Sequence, residues 1–489
     1  MTGGTAKASE DAQSDARKPT DLRVVRVFLL VLGALLAGYA FLGRGFAHLG
    51  VPPVYLGEVV LGLGLVATAV AAVRSRLQMS RSSLVILLVA FMVLGLIRTV
   101  PYIPTDGVNA LRDATMWGYG VFALMLFALL DRDWVLRLFR LYGYAAVVFL
   151  LWGPVAYTIW GNYGSSIPNA PGSDIPILFF KSQDMAVHTA GAIAFLVVVG
   201  TPQIRPALDF LWRFAIALPM SWMVYTTGSI TRGGLAAVVA CLAVLGVTAG
   251  RTRNWLPMLL GAIVFAAIVT SNVALPSIGT EPTPISTPTP VQSGTPPFTT
   301  AAPTPVAAPV TAPESGRSVT TTQWWENIAS VFVGSSDTNL EGTKQFRLAW
   351  WGKIIDYTFN GPYFWTGKGF GINLADADGF QPTADHSLRE PHNSHLSVLA
   401  RMGVPGFILW ILLQAGFALF LLRALLAHRR AGDKQLAAVG VWVLAFWAAM
   451  MVNTSFDPYL EGPQGGIWFW ALFGLGLVVI RLAPRRKAA

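Results

Sequence analysis

The sequence predicts an all-α, polytopic membrane protein with about twelve transmembrane helices, and three observations predict it. First, 54% of the 489 residues are hydrophobic and only 12% are charged, against roughly 25% charged in an average soluble domain. Mean hydropathy is +0.55. Second, the apolar residues gather into runs of the length that crosses a hydrocarbon core of about 30 Å as a helix, the structure that leaves no backbone amide unpaired in lipid. Third, the basic residues alternate between the ends of those runs. This composition excludes a disordered chain, a nucleic-acid-binding module and an ordinary cytosolic enzyme. The single cysteine, Cys241, lies inside an apolar run, which excludes an internal disulfide and a cysteine-based metal site.

Twelve runs are expected, at about 24–42, 54–73, 82–98, 115–130, 140–160, 186–200, 210–227, 233–249, 255–275, 404–426, 435–452 and 466–482. The first follows 23 polar residues and shows no small-residue cleavage site, so it reads as a span and not a signal peptide. With the N-terminus in the cytoplasm, strict alternation puts 23 of the 35 Lys and Arg inside with 8 acids, and 12 outside with 17 acids. The net charge of +10 is therefore a topology signal. Both termini are expected in the cytoplasm.

Between the spans the chain divides further. Residues 1–23 read as a disordered cytoplasmic tail, 24–275 as spans one to nine, and 276–319 as a Pro/Thr-rich extracytoplasmic linker. The stretch 276–313 holds 11 Pro and 9 Thr and cannot bury enough apolar surface to fold. Residues 320–403 form a large extracytoplasmic loop of helices between spans nine and ten, 404–482 the last three spans, and 483–489 a basic cytoplasmic tail. The loop carries Trp324, Trp325, Trp350, Trp351 and Trp365. Phe346, Ala349, Trp350, Ile354 and Tyr357 share one helical face, which predicts a helix at the membrane surface.

Chemistry concentrates on the outer side. His386, His392 and His395 cluster before the tenth span, but no ligand spacing such as HExxH accompanies them, so no metal is expected. In PHNSHLSVLARMGVPG (391–406), His392 and Asn393 precede Gly403, Pro405 and Gly406. The bland reading is an amphipathic surface helix and a turn; the sharp one is His392 as a general base at the membrane surface. Arg232, followed by Gly233 and Gly234, stands between spans seven and eight. An arginine at the mouth of a bundle is costly unless it is paired, functional or snorkelling to headgroups. Arg347 heads a helical stretch, and a guanidinium fork suits a diphosphate. The GKGFG run (367–371) lacks the strand, helix and Ser/Thr of a nucleotide loop. Lys181 and Arg389 are further outward cations, each also readable as a solvated surface charge.

Three separated segments, HN-x9-GVPG (392–406), ITRGG (230–234) and Arg347 with Trp350/Trp351 leading to GKGFG, resemble the O-antigen ligase and polymerase-like family. The resemblance runs over roughly 220–480 and includes a final hairpin at 451–477; the N-terminal half resembles the family only in hydropathy, and the Pro/Thr insert departs from it. It implies a metal-independent, cofactor-free, inverting glycosyltransferase of the membrane-embedded (GT-C) type in the cytoplasmic (inner) membrane. The implied donor is a glycan on undecaprenyl diphosphate, and the implied acceptor is a hydroxyl on a glycan, lipid or protein at the extracytoplasmic face. The residues then fall into roles: His392 as base, Arg232 and Arg347 on the departing diphosphate, and Asn393, His395, Arg389 and Lys181 around the substrates. Ligation and repeat-unit polymerisation remain alternatives. A lipid-linked glycan transporter is the runner-up of another class, disfavoured because mid-span ionisable residues are nearly absent. A cell-wall glycan polymerase would need an outer aspartate such as Asp385 or Asp457, and neither sits in a supporting motif.

Overall fold

Hydropathy of this kind leaves helix as the element of choice, and helices dominate the computed structural model. It describes residues 18–51, 54–78, 80, 82–199, 205–250, 254–271, 320–321, 323–325, 327, 338–382 and 384–484. The Pro/Thr linker and most of both expected tails lie outside the described residues. In chain order the main helices are α1 (Arg23–Leu42), α2 (Leu56–Val73), α3 (Ser83–Thr99), α4 (Val108–Gly118), α5 (Gly120–Leu129), α6 (Arg132–Tyr163) and α7 (Ser182–Val198). They continue as α8 (Pro206–Ile230), α9 (Arg232–Thr248), α10 (Trp255–Thr270), α11 (Thr338–Phe359), α12 (Ser394–Arg430), α13 (Lys434–Asn453) and α14 (Pro463–Arg481). A short antiparallel pair, Gly50–Val51 with Val54–Tyr55, joins α1 to α2.

Among the described residues, eight helices are long and apolar enough to cross a membrane: α1, α2, α3, α6, α8, α12, α13 and α14. Four shorter apolar helices, α5, α7, α9 and α10, lie at the remaining expected runs. The expected run at 115–130 is broken at Tyr119, between α4 and α5. The Tyr119 hydroxyl donates to Glu58 Oε1 at 2.5 Å, a tie to α2. The break leaves a ten-residue α5 in which Phe122 and the residues from Met125 to Leu129 are buried. Such a helix is enclosed by protein and need not match the bilayer thickness by itself.

The centre belongs to α7, α13 and α14, which carry long runs of buried residues. Their tryptophans bury large rings while placing each indole N–H on a carbonyl: Trp470 on Met116 at 3.0 Å, Trp468 on Leu36 at 2.9 Å and Trp442 on Gly191 at 3.2 Å. The outer helices α2 and α3 bury much less of themselves, as expected where lipid is the solvent.

Charged groups gather at the two ends of the bundle. At one end Lys18 pairs with Asp133 at 2.7 Å, Arg132 pairs with Asp433 at 3.0 Å, and Arg481 donates to the Leu130 carbonyl. At the other, Arg44, Lys181, Asp184 and Asp457 meet. Among the described residues, each of these contacts joins segments that alternation assigns to the same face.

Candidate active site

The second end of the bundle, the rim, is built from helix termini. His392 stands just before α12, whose N-cap is Asn393. The Asn393 side-chain oxygen accepts from the amides of His395 and Leu396 at 3.0 and 3.2 Å, satisfying two of the orphan donors that open a helix. Ser394 N donates to the Thr454 carbonyl at 2.9 Å and Ser394 Oγ to Glu461 Oε2 at 2.6 Å, tying this turn to the hairpin between α13 and α14. Trp351 Nε1 donates to the Pro391 carbonyl at 2.7 Å, so α11 clamps the same turn from above. The clamp holds His392 at φ +53°, a left-handed conformation uncommon outside glycine.

The expected face of α11 forms: Trp350 and Ile354 are fully buried, with Phe346 and Tyr357 packed against them. Ala349 departs from the expectation and is exposed. The first arm of α12, 394–402, ends at Gly403, whose φ of +66° and ψ of −170° interrupt the helix. A Cβ there would lie 2.5 Å from the Phe364 carbonyl oxygen, and one on Gly367 would lie 2.4 Å from Arg401 C. That close approach explains GKGFG. Lys368 N and Gly369 N donate to the Ala400 and Arg401 carbonyls at 2.7 and 3.0 Å, capping the broken helix. The run is a brace for the His392 arm.

The imidazole of His392 is half-buried, with Nδ1 sealed from solvent and, in this structure, without a hydrogen-bond partner. Burial first, and the Arg347 guanidinium second, push its pKa down to about 4 against the opposing pull of Asp457. The ring is therefore neutral at pH 7, the form that accepts a proton. Arg347 Nη1 donates to the Phe456 carbonyl at 3.3 Å. Arg232 is the first residue of α9, behind Thr231, whose side chain accepts from Gly234 N at 2.8 Å. A Cβ on Gly233 would come within 2.9 Å of Phe456 Cβ, and one on Gly234 within 2.7 Å of Ala186 Cβ. The two glycines let α9 enter against α7 and against Phe456. Gly406 sits one turn past Met402, where a Cβ would meet Met402 Cβ at 2.2 Å.

Phe456 is thus the hub: Arg347 rests on its carbonyl and the Arg232 turn on its side chain. Next to it Asp457 accepts from Lys181 and from Arg44 Nη2 at 3.3 Å, while Arg44 Nε donates to Asp184 Oδ2 at 3.1 Å. Burial would raise the Asp457 pKa, but Lys181 and Arg44 outweigh it and hold the carboxyl below its usual range. On the other flank, burial and the neighbouring Glu390 lift Glu461 to about 8.

The structure brings His392, Arg347, Lys181 and the Arg232 turn to one rim. It turns two other candidates inward. Arg389 Nη2 pairs with Asp113 at 3.0 Å and donates to the Gly371 carbonyl at 2.7 Å. His395 Nδ1 accepts from Trp410 Nε1 at 3.0 Å while its Nε2 faces the Met451 carbonyl at 3.2 Å, so both ring nitrogens are engaged within the bundle. Among the described residues no three of His, Cys, Asp and Glu are arranged to hold a metal ion. Sequence reasoning missed Arg44 and Asp184. Their signal was faint: a lone arginine in a short loop that strict alternation expects outside, with an acid opening an apolar run.

This is the architecture of a multi-pass membrane protein with charged chemistry at one end. Residues 215–411 match the family model described as O-antigen ligase. The match supports the resemblance read from the motifs over that stretch, which includes Arg232, Arg347 and His392. No curated protein matches the chain. Arg44, Lys181, Asp184 and Asp457 lie outside the matched residues.

Proposed function

We propose that this protein is a glycosyltransferase that moves a glycan from undecaprenyl diphosphate to an acceptor hydroxyl at the extracytoplasmic face of the cytoplasmic membrane. The eight long helices and the four shorter apolar ones make up twelve spans, with both termini cytoplasmic and the rim outside. The observation that carries the reading is the meeting of a neutral, half-buried imidazole with Arg347 and the Arg232 turn around Phe456, from segments spread between residues 232 and 456 of the sequence.

The acceptor oxygen attacks the anomeric carbon from the face opposite the diphosphate, so the centre inverts. The bond from that carbon to the phosphate oxygen breaks, and its electron pair leaves on the lipid diphosphate. Arg232 and Arg347 stabilise the charge that develops there. His392 accepts the acceptor's hydroxyl proton. The donor's own diphosphate bond supplies the driving force. Asn393, His395 and Arg389 hold the turn that carries the base, and Lys181, with Arg44, adds positive charge at the rim. A repeat-unit polymerase would run the same chemistry with a lipid-linked glycan as acceptor.

Purified protein in lipid nanodiscs, given a glycan on a C55 polyprenyl diphosphate, tests the assignment. His392→Ala should cut transfer by about 10²–10⁴-fold, the usual span for losing a general base. Wild-type rates in that variant would remove His392 from the mechanism.

A further inference from the structure

The helical repeat divides the circumference of α11 into three sides. Trp350, Ile354 and Thr358 are buried on the first, where Trp350 and Ile354 join one core with Leu399 and Ala400 of α12. Gln345, Lys353 and Asp356 take the second, within about 80° of one another, and are exposed. Leu348, Ile355 and Phe359 fall on the third, within about 40° of one another, and remain 46%, 45% and 47% exposed. A helix with one face on protein and the rest in water carries polar residues all over its outer side. Here the outer side is split, and its apolar half marks contact with something apolar.

The apolar stripe does not end with the helix. The Phe359 ring lies 6.4 Å from that of Phe364, which lies 5.0 Å from that of Trp365, itself 74% exposed. The Phe364 carbonyl accepts from Val404 N at 2.8 Å, so this aromatic run sits against the start of the second arm of α12, 404–430. That arm belongs to a helix long and apolar enough to cross a membrane, and it leaves Ile408, Ile411 and Leu412 exposed. The other end of α11 is tied to the same rim. Arg347 reaches the Phe456 carbonyl, in the hairpin between α13 and α14, and Trp351 reaches the Pro391 carbonyl. A helix fixed at both ends where membrane-crossing helices begin lies across the rim, along the membrane surface.

We propose that the side of α11 formed by Leu348, Ile355 and Phe359, continued by Trp365, is seated in the lipid leaflet at the rim. The continuity argues for lipid as the occupant: through Phe364 the stripe joins the exposed apolar side chains of a membrane-crossing helix. Its length, about 16 Å from Leu348 to Phe359, lies in the boundary between headgroups and acyl chains, the depth that tryptophan favours. The side that periodicity predicts for the membrane, with Phe346, Trp350 and Ile354, packs on protein instead. The seated helix carries Arg347 and the Trp351 clamp on the His392 turn, so the leaflet steadies the groups that act in transfer. That consequence rests on the proposed reaction; the seating does not.

Cys241 is the only cysteine of the chain and is buried, so single cysteines introduced elsewhere take a nitroxide label. Leu348→Cys, Ile355→Cys and Phe359→Cys report on the apolar stripe, and Gln345→Cys and Asp356→Cys on the polar side. The full chain is placed in phosphatidylcholine nanodiscs, one copy per disc. Power saturation should find the first three labels reached by oxygen in preference to an aqueous nickel chelate, and the other two the reverse. Nickel access at all five positions overturns the seating; spin–spin broadening when two copies share a disc then makes a second copy the occupant. For transfer, Ile355→Asp combined with Phe359→Asp should lower kcat by about 10-fold or more, since a displaced clamp misplaces reacting groups. Both positions are exposed, so the fold tolerates the change. Ile355→Leu combined with Phe359→Leu should keep the wild-type kcat, as should Ala349→Asp on the polar side. Wild-type kcat in the double-Asp enzyme overturns the link between leaflet and catalytic turn. A wild type that transfers nothing overturns the proposed reaction, while the labels decide the seating by themselves.

Discussion

The pH dependence of transfer tests the site most directly. Burial and Arg347 carry the His392 pKa from an ordinary 6.5 down to about 4. At pH 5.5 an unperturbed imidazole would be only about one-tenth neutral, whereas one titrating near 4 is about 97% neutral. Between pH 7.5 and 5.5 kcat/KM should therefore fall by less than about 1.2-fold, where an ordinary histidine base would lose about tenfold. Replacing the cation, Arg347→Gln, should move the acid limb upward in pH while also slowing transfer, because Arg347 is the second cause of the shift and a proposed stabiliser of the leaving diphosphate. The assay is initial-rate transfer from the C55 diphosphate donor in nanodiscs between pH 4 and 8; kcat/KM reports the free enzyme, the state described here. A folded-state pKa below the unfolded one also means that His392 contributes stability above pH 6.5 that is lost as pH falls toward 4. Thermal unfolding at each pH separates that loss from the limb. A wild-type limb at or above 6.5, or one that moves downward in Arg347→Gln, refutes the reasoning.

Other perturbations have equally definite outcomes. Gly403→Ala forces a side chain into a left-handed, glycine-favouring conformation and toward the Phe364 carbonyl oxygen, and should cost about 1–3 kcal/mol in detergent-solubilised stability. Asn393→Ala removes the α12 cap and should cost about 1 kcal/mol, with Asn393→Asp largely restoring it; equal stability of all three would deny the cap its role. Glu461 titrates near 8 in the fold against an ordinary 4.5, so it loses stability as pH rises across that window. Glu461→Gln should therefore unfold at a higher temperature than wild type at pH 7.5 and at the same temperature at pH 4. Asp457→Asn strands Lys181 and Arg44 and should destabilise more than Asp457→Asn combined with Lys181→Met, which removes one of the stranded charges.

Much of this was legible in the sequence because lipid imposes a one-dimensional rule: a helix must be long and apolar enough, and its flanking charges choose a side. The runs at 24–42, 435–452 and 466–482 therefore fall on α1, α13 and α14 nearly residue for residue. The rule weakens where protein replaces lipid around a helix. The enclosed α5 is only ten residues long, and the Tyr119 break above it has no hydropathy signature. Within the rim, His392, Arg232 and Arg347 stood out by residue type and motif. The roles of GKGFG and Arg389 did not, because both depend on which carbonyl or carboxylate lies opposite once the chain is folded.

The sequence by itself determined the solvent and the helices, since these follow from the transfer cost of each segment taken alone. Only the tertiary structure decided that Arg44 of the first helix turn, Asp184 of the seventh helix and Asp457 of the last hairpin share one cluster beside His392. It also decided which side of α11 packs on protein and which apolar side is left outward. Those are properties of facing surfaces, and an ion pair spanning more than 400 positions has no energy until packing brings its two ends within a few ångströms.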